Sequence, residues 1–335
     1  MSHENRKFLL AARPVGLPKP SDWEFVKAPA RAPEDGEALI AVDYLSLDPA
    51  MRGWMNEGKS YIPPVKIGEV MRALGVGKII ESRADGFAPG DYVSAATGIQ
   101  SYATLKAKDL AKIDPKIAPL PVYLNILGMT GMTAYFGLLD VGEPQAGETV
   151  VGSGAAGAVG ASVGQIAKLK GCRVVGIAGG AEKCAFLTQE LGFDAAIDYK
   201  AGDIRKPLKE ACPAGIDVYF DNVGGDILDT CLALINLRAR IVICGAISQY
   251  NNTTPIKGPA NYLSLLVNRA RMQGMVVFDY ADRFGLAARE MAGWMAAGKL
   301  KGKEDIVMGL ETFPETLLKL FSGENFGKLV LKVDA

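Results

Sequence analysis

The second half of the chain alternates short apolar, β-branched runs with segments of helical period. The runs that predict strands are, in chain order, Val150-Val151, Arg173 to Ile177, Ala195 to Asp198, Asp217 to Asp221, Ile241 to Cys244 and Met275 to Phe278. Between them apolar residues recur at helical spacing, as Val159, Val163 and Ile166 do on one face of the first predicted helix. Strands separated by helices in this way predict an α/β fold with a six-stranded, doubly wound parallel sheet.

The first part of the chain has a different pattern, in which turns rich in Gly, Pro and Asp separate strand-like runs. These runs are Ala38 to Tyr44, Gly75 to Glu81, Asp91 to Ala95 and Tyr102 to Leu105, and they predict an antiparallel β barrel or sandwich. The chain ends in another alternating strand, Lys328 to Val333, which we expect to rejoin this first domain. The predicted organisation is one domain of residues 1–125 and 306–335, with a second domain of residues 126–305 inserted into it.

A glycine-rich segment, Gly152 to Gly160, lies between the first of the parallel strands and the first helix. Glycines let the backbone turn tightly and approach a pyrophosphate, while the free amides and positive dipole end of the next helix favour an anion. The strand before the segment and the helix after it indicate a dinucleotide-binding βαβ unit. The alternative interpretation is a small-residue contact between helix and sheet.

The segment after the second predicted strand indicates which dinucleotide binds. NAD enzymes usually end this strand with an acidic residue that binds the ribose hydroxyls, but here Ala178 is followed by Gly179-Gly180. Lys183 follows shortly and is suited to pair with a ribose phosphate, so the sequence favours NADPH over NADH. Two alternatives stay open, because Glu182 could serve as the missing acid and Lys183 could be an ordinary exposed lysine.

The composition excludes several kinds of chemistry. The chain has 37 Lys and Arg against 37 Asp and Glu, so we expect neither a nucleic acid nor a membrane as partner. The five cysteines show no C-x-x-C spacing and the only histidine is His3, so we expect no disulfide framework, no metal site and no histidine-based catalysis. The polar start of the chain lacks the pattern of a signal peptide, which makes a cytoplasmic enzyme the default expectation.

Two more polar segments follow predicted strands, at the edge of the sheet where ligands of this fold bind. Asp221 to Gly225 ends the fourth strand, and Cys244 to Asn251 leaves the fifth. The glycines could merely terminate strands, and Cys244, which has no basic partner in sequence, is better explained by packing than as a nucleophile.

Two tyrosines are candidate proton donors: Tyr250 lies in the second segment and Tyr61 in a proline-bounded loop. Without a usable histidine, a tyrosine or water is the natural proton source beside a hydride donor, although Tyr61 could equally be a packing residue.

These motifs together resemble the medium-chain dehydrogenase/reductase superfamily, in its zinc-free branch of leukotriene B4 dehydrogenase/prostaglandin reductase, 2-alkenal reductase and curcumin reductase. The resemblance covers nearly the whole chain and rests on motifs in the same order: Leu47 to Gly53, Gly128 to Tyr135, the glycine run, Phe220 to Gly225, Cys244 to Asn251 and Glu324 to Lys328. It implies a Rossmann sheet inserted into an antiparallel, GroES-like β-barrel domain. It also implies NADPH as cofactor, and reduction of the carbon–carbon double bond of an α,β-unsaturated aldehyde or ketone.

The resemblance further implies roles for individual residues. The cofactor residues that it implies are Gly157, Ala158, Val159, Gly160, Lys183, Tyr199, Asn222, Cys244, Gly245, Ala246, Ile247, Ser248, Tyr250, Met275, Val276, Val277 and Asn325. Tyr250 and Tyr61 are the candidate catalytic residues, and we expect them to line the substrate pocket with Ile99 and Met129. Hydride is expected to reach the β carbon and a proton the α carbon.

Departures from the family pattern and competing functions complete the expectations. Gly152 stands where relatives usually have a strand valine, so we expect that strand to end early, and Ile99 replaces a common tryptophan, which leaves the substrate size open. A homodimer is expected, with the predicted edge strand Met275 to Phe278 as its pairing surface. NADPH-dependent quinone reduction is the alternative activity, and a non-catalytic NADPH-binding protein is a third possibility.

Overall fold

In a computed structural model, which describes residues 3–334, the chain forms two compact units. One consists of the residues up to Asn125 and those from Glu304 onward, and the other of Ile126–Lys303. The strands of the described residues are β1 Glu4–Leu10, β2 Trp23–Pro29, β3 Glu37–Ser46, β4 Gly75–Ser82, β5 Tyr92–Ala95, β6 Tyr102–Lys106, β7 Ala111–Ile113, β8 Thr149–Ser153, β9 Arg173–Ala178, β10 Ala195–Asp198, β11 Ile216–Asp221, β12 Ile235–Ile243, β13 Arg271–Gly274, β14 Glu304–Met308 and β15 Lys328–Lys332. The α-helices are α1 Ala50–Trp54, α2 Met129–Phe136, α3 Ala158–Leu169, α4 Ala181–Gln189, α5 Arg205–Ala211, α6 Gly225–Leu232, α7 Leu263–Val267, α8 Phe284–Ala296 and α9 Phe313–Ser322.

The unit of residues 126–303 is built on a six-stranded sheet in which all neighbouring strands are parallel. The strand order is β10-β9-β8-β11-β12-β13, so the order of connection reverses between β8 and β11, as it does in the Rossmann fold. Val151, Val175 and Tyr219 on the central strands are completely buried, as expected for a parallel sheet with both faces covered. This sheet confirms the predicted doubly wound α/β fold.

The sixth strand lies earlier in the chain than predicted. β13 pairs with residues 240–243 of β12, whereas the predicted strand Met275 to Phe278 leaves the sheet and enters a 3-10 turn over Val277–Arg283. The pattern was misleading because β13 is a mostly exposed edge strand with only one large apolar residue, Met272. The apolar Val277 is buried, but it lies beyond the end of the strand. The prediction of a strand over Met275 to Phe278 was therefore wrong.

The first strand of this sheet, β8, does not end early. It continues through Gly152 to Ser153, and Gly152 pairs with Gly176 on one side and Phe220 on the other. Backbone pairing with two neighbours holds the glycine extended, although glycine has a low intrinsic strand propensity. The expectation drawn from the missing valine was wrong.

The other unit is built on a largely antiparallel sheet in the order β14-β15-β3-β4-β5-β7, with β6 also paired to β3 and a separate β1-β2 pair. Within this sheet, β14 and β15 are the one pair of described strands that run parallel. As predicted, the strand at the end of the chain returns to this unit, where β15 pairs with β3. Asn125 and Glu304, where the chain leaves and re-enters the unit, are joined by a hydrogen bond of 2.7 Å from Asn125 Nδ2 to Glu304 Oε1.

Length and polarity distinguish these helices from membrane spans. Within residues 3–334, none combines the length and the apolar composition needed to cross a bilayer.

Candidate functional site

Most of the predicted cofactor residues lie at one edge of the parallel sheet. Each group follows the carboxyl end of a strand: Gly157–Gly160 after β8, Lys183 after β9, Tyr199 after β10, Asn222 after β11, Cys244–Ser248 and Tyr250 after β12, and Met275–Val277 after β13. Because the carboxyl ends of parallel strands share one edge, the structure brings these residues to the edge at which ligands of doubly wound sheets bind.

The loop between β8 and α3 turns so tightly that Gly160, in the first turn of the helix, has no room for a side chain. A Cβ added to Gly160 would lie 2.4 Å from the carbonyl oxygen of Gly154 and 2.7 Å from Ala155 Cα. Gly154 itself has a positive φ of 58°. Gly157 is the N-cap residue of α3, and among the described residues no side chain accepts a hydrogen bond from the first amides of this helix. The close backbone turn and the uncapped helix start fit a pyrophosphate.

The turn after β9 is covered by two side chains from the end of the neighbouring strand β10. A Cβ added to Gly179 would lie 2.8 Å from the hydroxyl oxygen of Tyr199 and 3.0 Å from Lys200 Cε. Lys183 lies in the first turn of α4, directly after the same turn. Sequence reasoning missed Lys200, because only the pairing of β9 with β10 brings it to Gly179. Two lysines and a tyrosine at this turn fit the adenosine phosphate of NADPH.

An acidic residue does lie beside this turn, but it comes from the next strand. The Oδ1 atom of Asp198 accepts hydrogen bonds from the backbone N–H groups of Gly180, at 2.7 Å, and Lys200, at 2.9 Å. These two bonds hold the pKa of Asp198 below its usual value. Since Asp198 Oδ1 is engaged with the backbone of the turn, we interpret this residue as supporting the turn rather than as a ribose ligand.

Asp221, which is only 1% exposed, connects three segments at the carboxyl edge of the sheet. Its Oδ1 atom accepts hydrogen bonds from Ser153 Oγ at 2.9 Å, Tyr219 Oη at 2.8 Å and the backbone N–H of Gly224 at 2.9 Å. Its carbonyl oxygen accepts from the backbone N–H of Cys244 at 2.9 Å. Burial raises the pKa of Tyr219 well above its usual value, so its phenol stays protonated and donates. Sequence reasoning noted Asp221 only as part of a motif and missed this role.

Asn222 is fixed by the same network. Its backbone N–H donates to Ser153 Oγ at 2.9 Å and its Nδ2 donates to the carbonyl oxygen of Ser153 at 2.8 Å. Its carbonyl oxygen in turn accepts from the backbone N–H of Ile247 at 3.2 Å. The loop of residues 244–250 is therefore docked on the turn that follows β11.

Tyr250 is half-buried, and its side chain folds back on this loop. The phenol oxygen accepts a hydrogen bond from the backbone N–H of Ala246 at 3.1 Å, and a Cβ added to Gly245 would lie 2.9 Å from that oxygen. Tyr250 thus helps to shape the loop to which it belongs.

The first residue of the same loop, Cys244, is not suited to nucleophilic attack. Burial raises the pKa of the Cys244 thiol to about 12, so this cysteine remains a thiol at neutral pH and suits packing.

The remaining predicted residues have different surroundings. Met129 begins α2 in the unit of residues 126–303, whereas Tyr61, Ile99 and Asn325 belong to the other unit. Tyr61 is 55% exposed, and Asn325 Nδ2 donates to the carbonyl oxygen of Gly327 at 3.1 Å. Ile99 is completely buried in the core of its unit because backbone hydrogen bonds tie it to strand β1 and to Met71. The assignment of Ile99 to the substrate pocket stays a prediction from the sequence.

Across residues 3–334, no three His, Cys, Asp or Glu side chains form a cluster that could hold a metal ion.

Comparisons with known proteins agree with this geometry. Residues 6–113 match the family described as the N-terminal domain of oxidoreductase, and residues 158–293 match the family described as zinc-binding dehydrogenase. The chain is 45% identical to the NADPH-dependent curcumin reductase of Escherichia coli, with 98% of this chain and 97% of the relative covered. It is 42% identical to the NADP(+)-dependent 2-alkenal reductase of Nicotiana tabacum, with the same shares covered.

A solved structure extends the comparison to three dimensions. The crystal structure of CurA from Vibrio vulnificus in complex with NADPH superimposes with a TM-score of 0.94 at 44% identity, covering 98% of this chain and 99% of that one. These matches confirm the family expected from the sequence motifs. The chain belongs to the zinc-independent branch of the medium-chain dehydrogenase/reductase superfamily that includes curcumin reductase, 2-alkenal reductase and prostaglandin reductase.

Proposed function

We propose that the protein uses NADPH to reduce the carbon–carbon double bond of α,β-unsaturated aldehydes or ketones. The observation that carries this proposal is the identity of 45% and 42%, over 98% of the chain, to enzymes named as curcumin reductase and 2-alkenal reductase. A 2-alkenal is an aldehyde whose double bond is conjugated to its carbonyl group. The substrate class is therefore a small molecule with a conjugated carbon–carbon double bond.

We propose a part of the cofactor for each of the predicted binding residues. We assign Gly157–Gly160 to the pyrophosphate, and Lys183, Tyr199 and Lys200 to the adenosine phosphate. The nicotinamide end is assigned to Asn222, Cys244, Gly245, Ala246, Ile247, Ser248, Tyr250, Met275, Val276, Val277 and Asn325. When bound, NADPH supplies the hydride that the β carbon receives.

The chain's own residues then act on the charge and the proton. Hydride addition at the β carbon leaves an enolate, whose oxygen is stabilised by hydrogen-bond donors placed in advance. Tyr250, held by its contact with the backbone of Ala246, is the proposed donor at this oxygen. Tyr61 or water is the proposed source of the proton for the α carbon. Met129, half-buried at the start of α2, is proposed to line the substrate pocket.

The experiment that tests this function monitors NADPH consumption with four substrates: a small 2-alkenal, a bulky enone, a quinone and a saturated aldehyde. We expect turnover of the first, with the second reporting the size of the pocket, and we expect the saturated aldehyde to be inert. Turnover of the quinone alone would establish the alternative activity. NADPH binding without turnover of any of the four would identify a non-catalytic protein.

We further propose that the protein is a cytoplasmic homodimer. The edge strand β13 supports the dimer, because its outer side has no paired strand among the described residues. Leu263, Leu266 and Val267 of the preceding α7 are also more than half exposed, which is costly for apolar side chains on an uncovered surface. Subcellular fractionation tests the compartment.

A further inference from the structure

Trp54, which no sequence pattern singled out, contacts the candidate proton donor Tyr61. The indole Nε1 donates a hydrogen bond to the phenol oxygen of Tyr61 across 3.3 Å. An indole N–H can only donate, so the phenol oxygen is the acceptor in this pair. The contact therefore restricts the direction in which Tyr61 presents its own hydrogen.

The backbone of Trp54 is held firmly, while Tyr61 lies 55% exposed in the loop that follows. The carbonyl oxygen of Trp54 accepts from the backbone N–H of Val65 at 2.8 Å, which closes the loop at its base. Arg13 Nη1 donates to the carbonyl oxygens of Met55, at 2.8 Å, and Val65, at 2.5 Å, at the same base. The indole N–H thus links a fixed base to the exposed phenol.

Arg72 places a positive charge beside this pair. Its guanidinium carbon lies 5.5 Å from the centroid of the Trp54 ring, within the range of a cation–π contact, and it interacts electrostatically with Tyr61 and Glu69. Its Nη1 atom is buried and has no hydrogen-bond partner among residues 3–334. Burying a cationic nitrogen in this way costs free energy. A cation next to a phenol stabilises the phenolate that remains after proton transfer.

We propose that Trp54 and Arg72 are positioning residues for proton donation by Tyr61. After hydride has reached the β carbon, the Tyr61 O–H bond breaks and the electron pair of the enolate forms the new bond between the α carbon and this proton. Tyr61 is left as a phenolate beside Arg72 until water returns the proton. The inference rests on the proposed function, because it requires an enolate to protonate.

The kinetic test compares Trp54→Phe, Tyr61→Phe and the double variant in the full chain, with a 2-alkenal and NADPH. Phenylalanine keeps an aromatic face against Arg72 but has no N–H. We expect Tyr61→Phe to lower kcat about tenfold or more, because a positioned general acid is lost. Trp54→Phe should lower it about three- to tenfold, the effect of one neutral hydrogen bond, and leave the KM for NADPH unchanged. The double variant should be no slower than Tyr61→Phe.

Two kinetic outcomes would overturn the proposal. If Trp54→Phe lowers kcat by the same factor in the Tyr61→Phe variant as in the wild type, Trp54 acts independently of Tyr61. If Tyr61→Phe leaves kcat unchanged, Tyr61 is not the donor. Arg72→Lys, which keeps the charge, should retain more of kcat than Arg72→Met, and equal losses would remove the charge from the proposal.

A readout without catalysis separates this inference from the proposed function. The chain has three tryptophans, so a sample labelled with ¹⁵N-tryptophan should give one indole N–H signal for each. Tyr61→Phe should shift the signal of Trp54, identified by its loss in Trp54→Phe, and leave those of Trp23 and Trp294 in place. An unchanged Trp54 signal would refute the contact even in an active enone reductase. An enzyme that shows the shift but reduces no enone would instead refute the proposed function.

Discussion

At the scale of single residues, we expect the side chains around Gly179 and Gly180 to select the dinucleotide. Lys200 reaches this turn from β10 and Lys183 from α4, while Asp198 Oδ1 is engaged with backbone N–H groups. We expect Lys183→Met and Lys200→Met each to raise the KM for NADPH about tenfold, because each removes a charge-assisted bond to a phosphate. The KM for NADH, which lacks this phosphate, should stay unchanged. Steady-state kinetics with both cofactors measure the difference.

Lys209→Met is the matched control for these two variants. Lys209 is exposed on α5, so its replacement makes the same change of charge away from the turn after β9. It should leave both KM values unchanged. If it weakens NADPH as much as Lys200→Met does, the lysines act through the general field of the surface and not by contact.

At the scale of structural elements, the junction of β8 and α3 depends on how closely two backbone segments approach. A Cβ on Gly160 would collide with the backbone of Gly154 and Ala155, whereas a Cβ on Gly152 would meet no atom within 4 Å. We expect Gly160→Ala to lower the free energy of unfolding by about 1–3 kcal/mol, the usual cost of overpacking, and to weaken NADPH binding. Thermal unfolding and cofactor titration measure both effects.

Gly152→Ala is the control within the same glycine run. It adds the same methyl group at a strand position with open space, so both the melting temperature and the affinity for NADPH should remain near those of the wild type. If the two substitutions have equal effects, the close approach of the backbone is not the reason why residue 160 must be glycine.

At the scale of the whole molecule, the unpaired edge of the parallel sheet is where we expect a second copy to bind. Leu266, on α7 before the edge strand β13, is 73% exposed, so a charge there should disfavour an apolar interface. We expect the wild type to sediment as a dimer and Leu266→Lys to shift it toward the monomer. Ile117→Lys, at a residue 67% exposed in the other unit, is the control and should leave the dimer intact. A wild type that sediments as a stable monomer would contradict the proposal.

Much of the fold and of the cofactor site could be predicted from the sequence, because the signals involved are local. Within the run from Gly152 to Gly160, the tight turn of the backbone requires glycine. The strands of the parallel sheet are buried on both faces and therefore read as apolar runs, whereas α3 is buried on one face and shows a helical apolar period. The lack of an acid after β9 and the presence of Lys183 pointed to NADPH without any knowledge of neighbouring strands. The antiparallel unit and the return of β15 were likewise predicted from alternation and turn residues.

What the tertiary structure alone decided are the features that depend on contacts between distant parts of the chain. The exposed strand β13 is recognisable only from its pairing with β12, and the place of Ile99 in the core depends on residues distant in the chain. Lys200 reaches Gly179 across a strand pair, and Asp221 connects the ends of β8, β11 and β12. The sequence by itself determined the buried strands of the parallel sheet and the cofactor, since periodicity and glycine sterics act within a few residues. The supporting side chains were decided by folding, because a hydrogen bond between distant residues leaves no pattern along the chain.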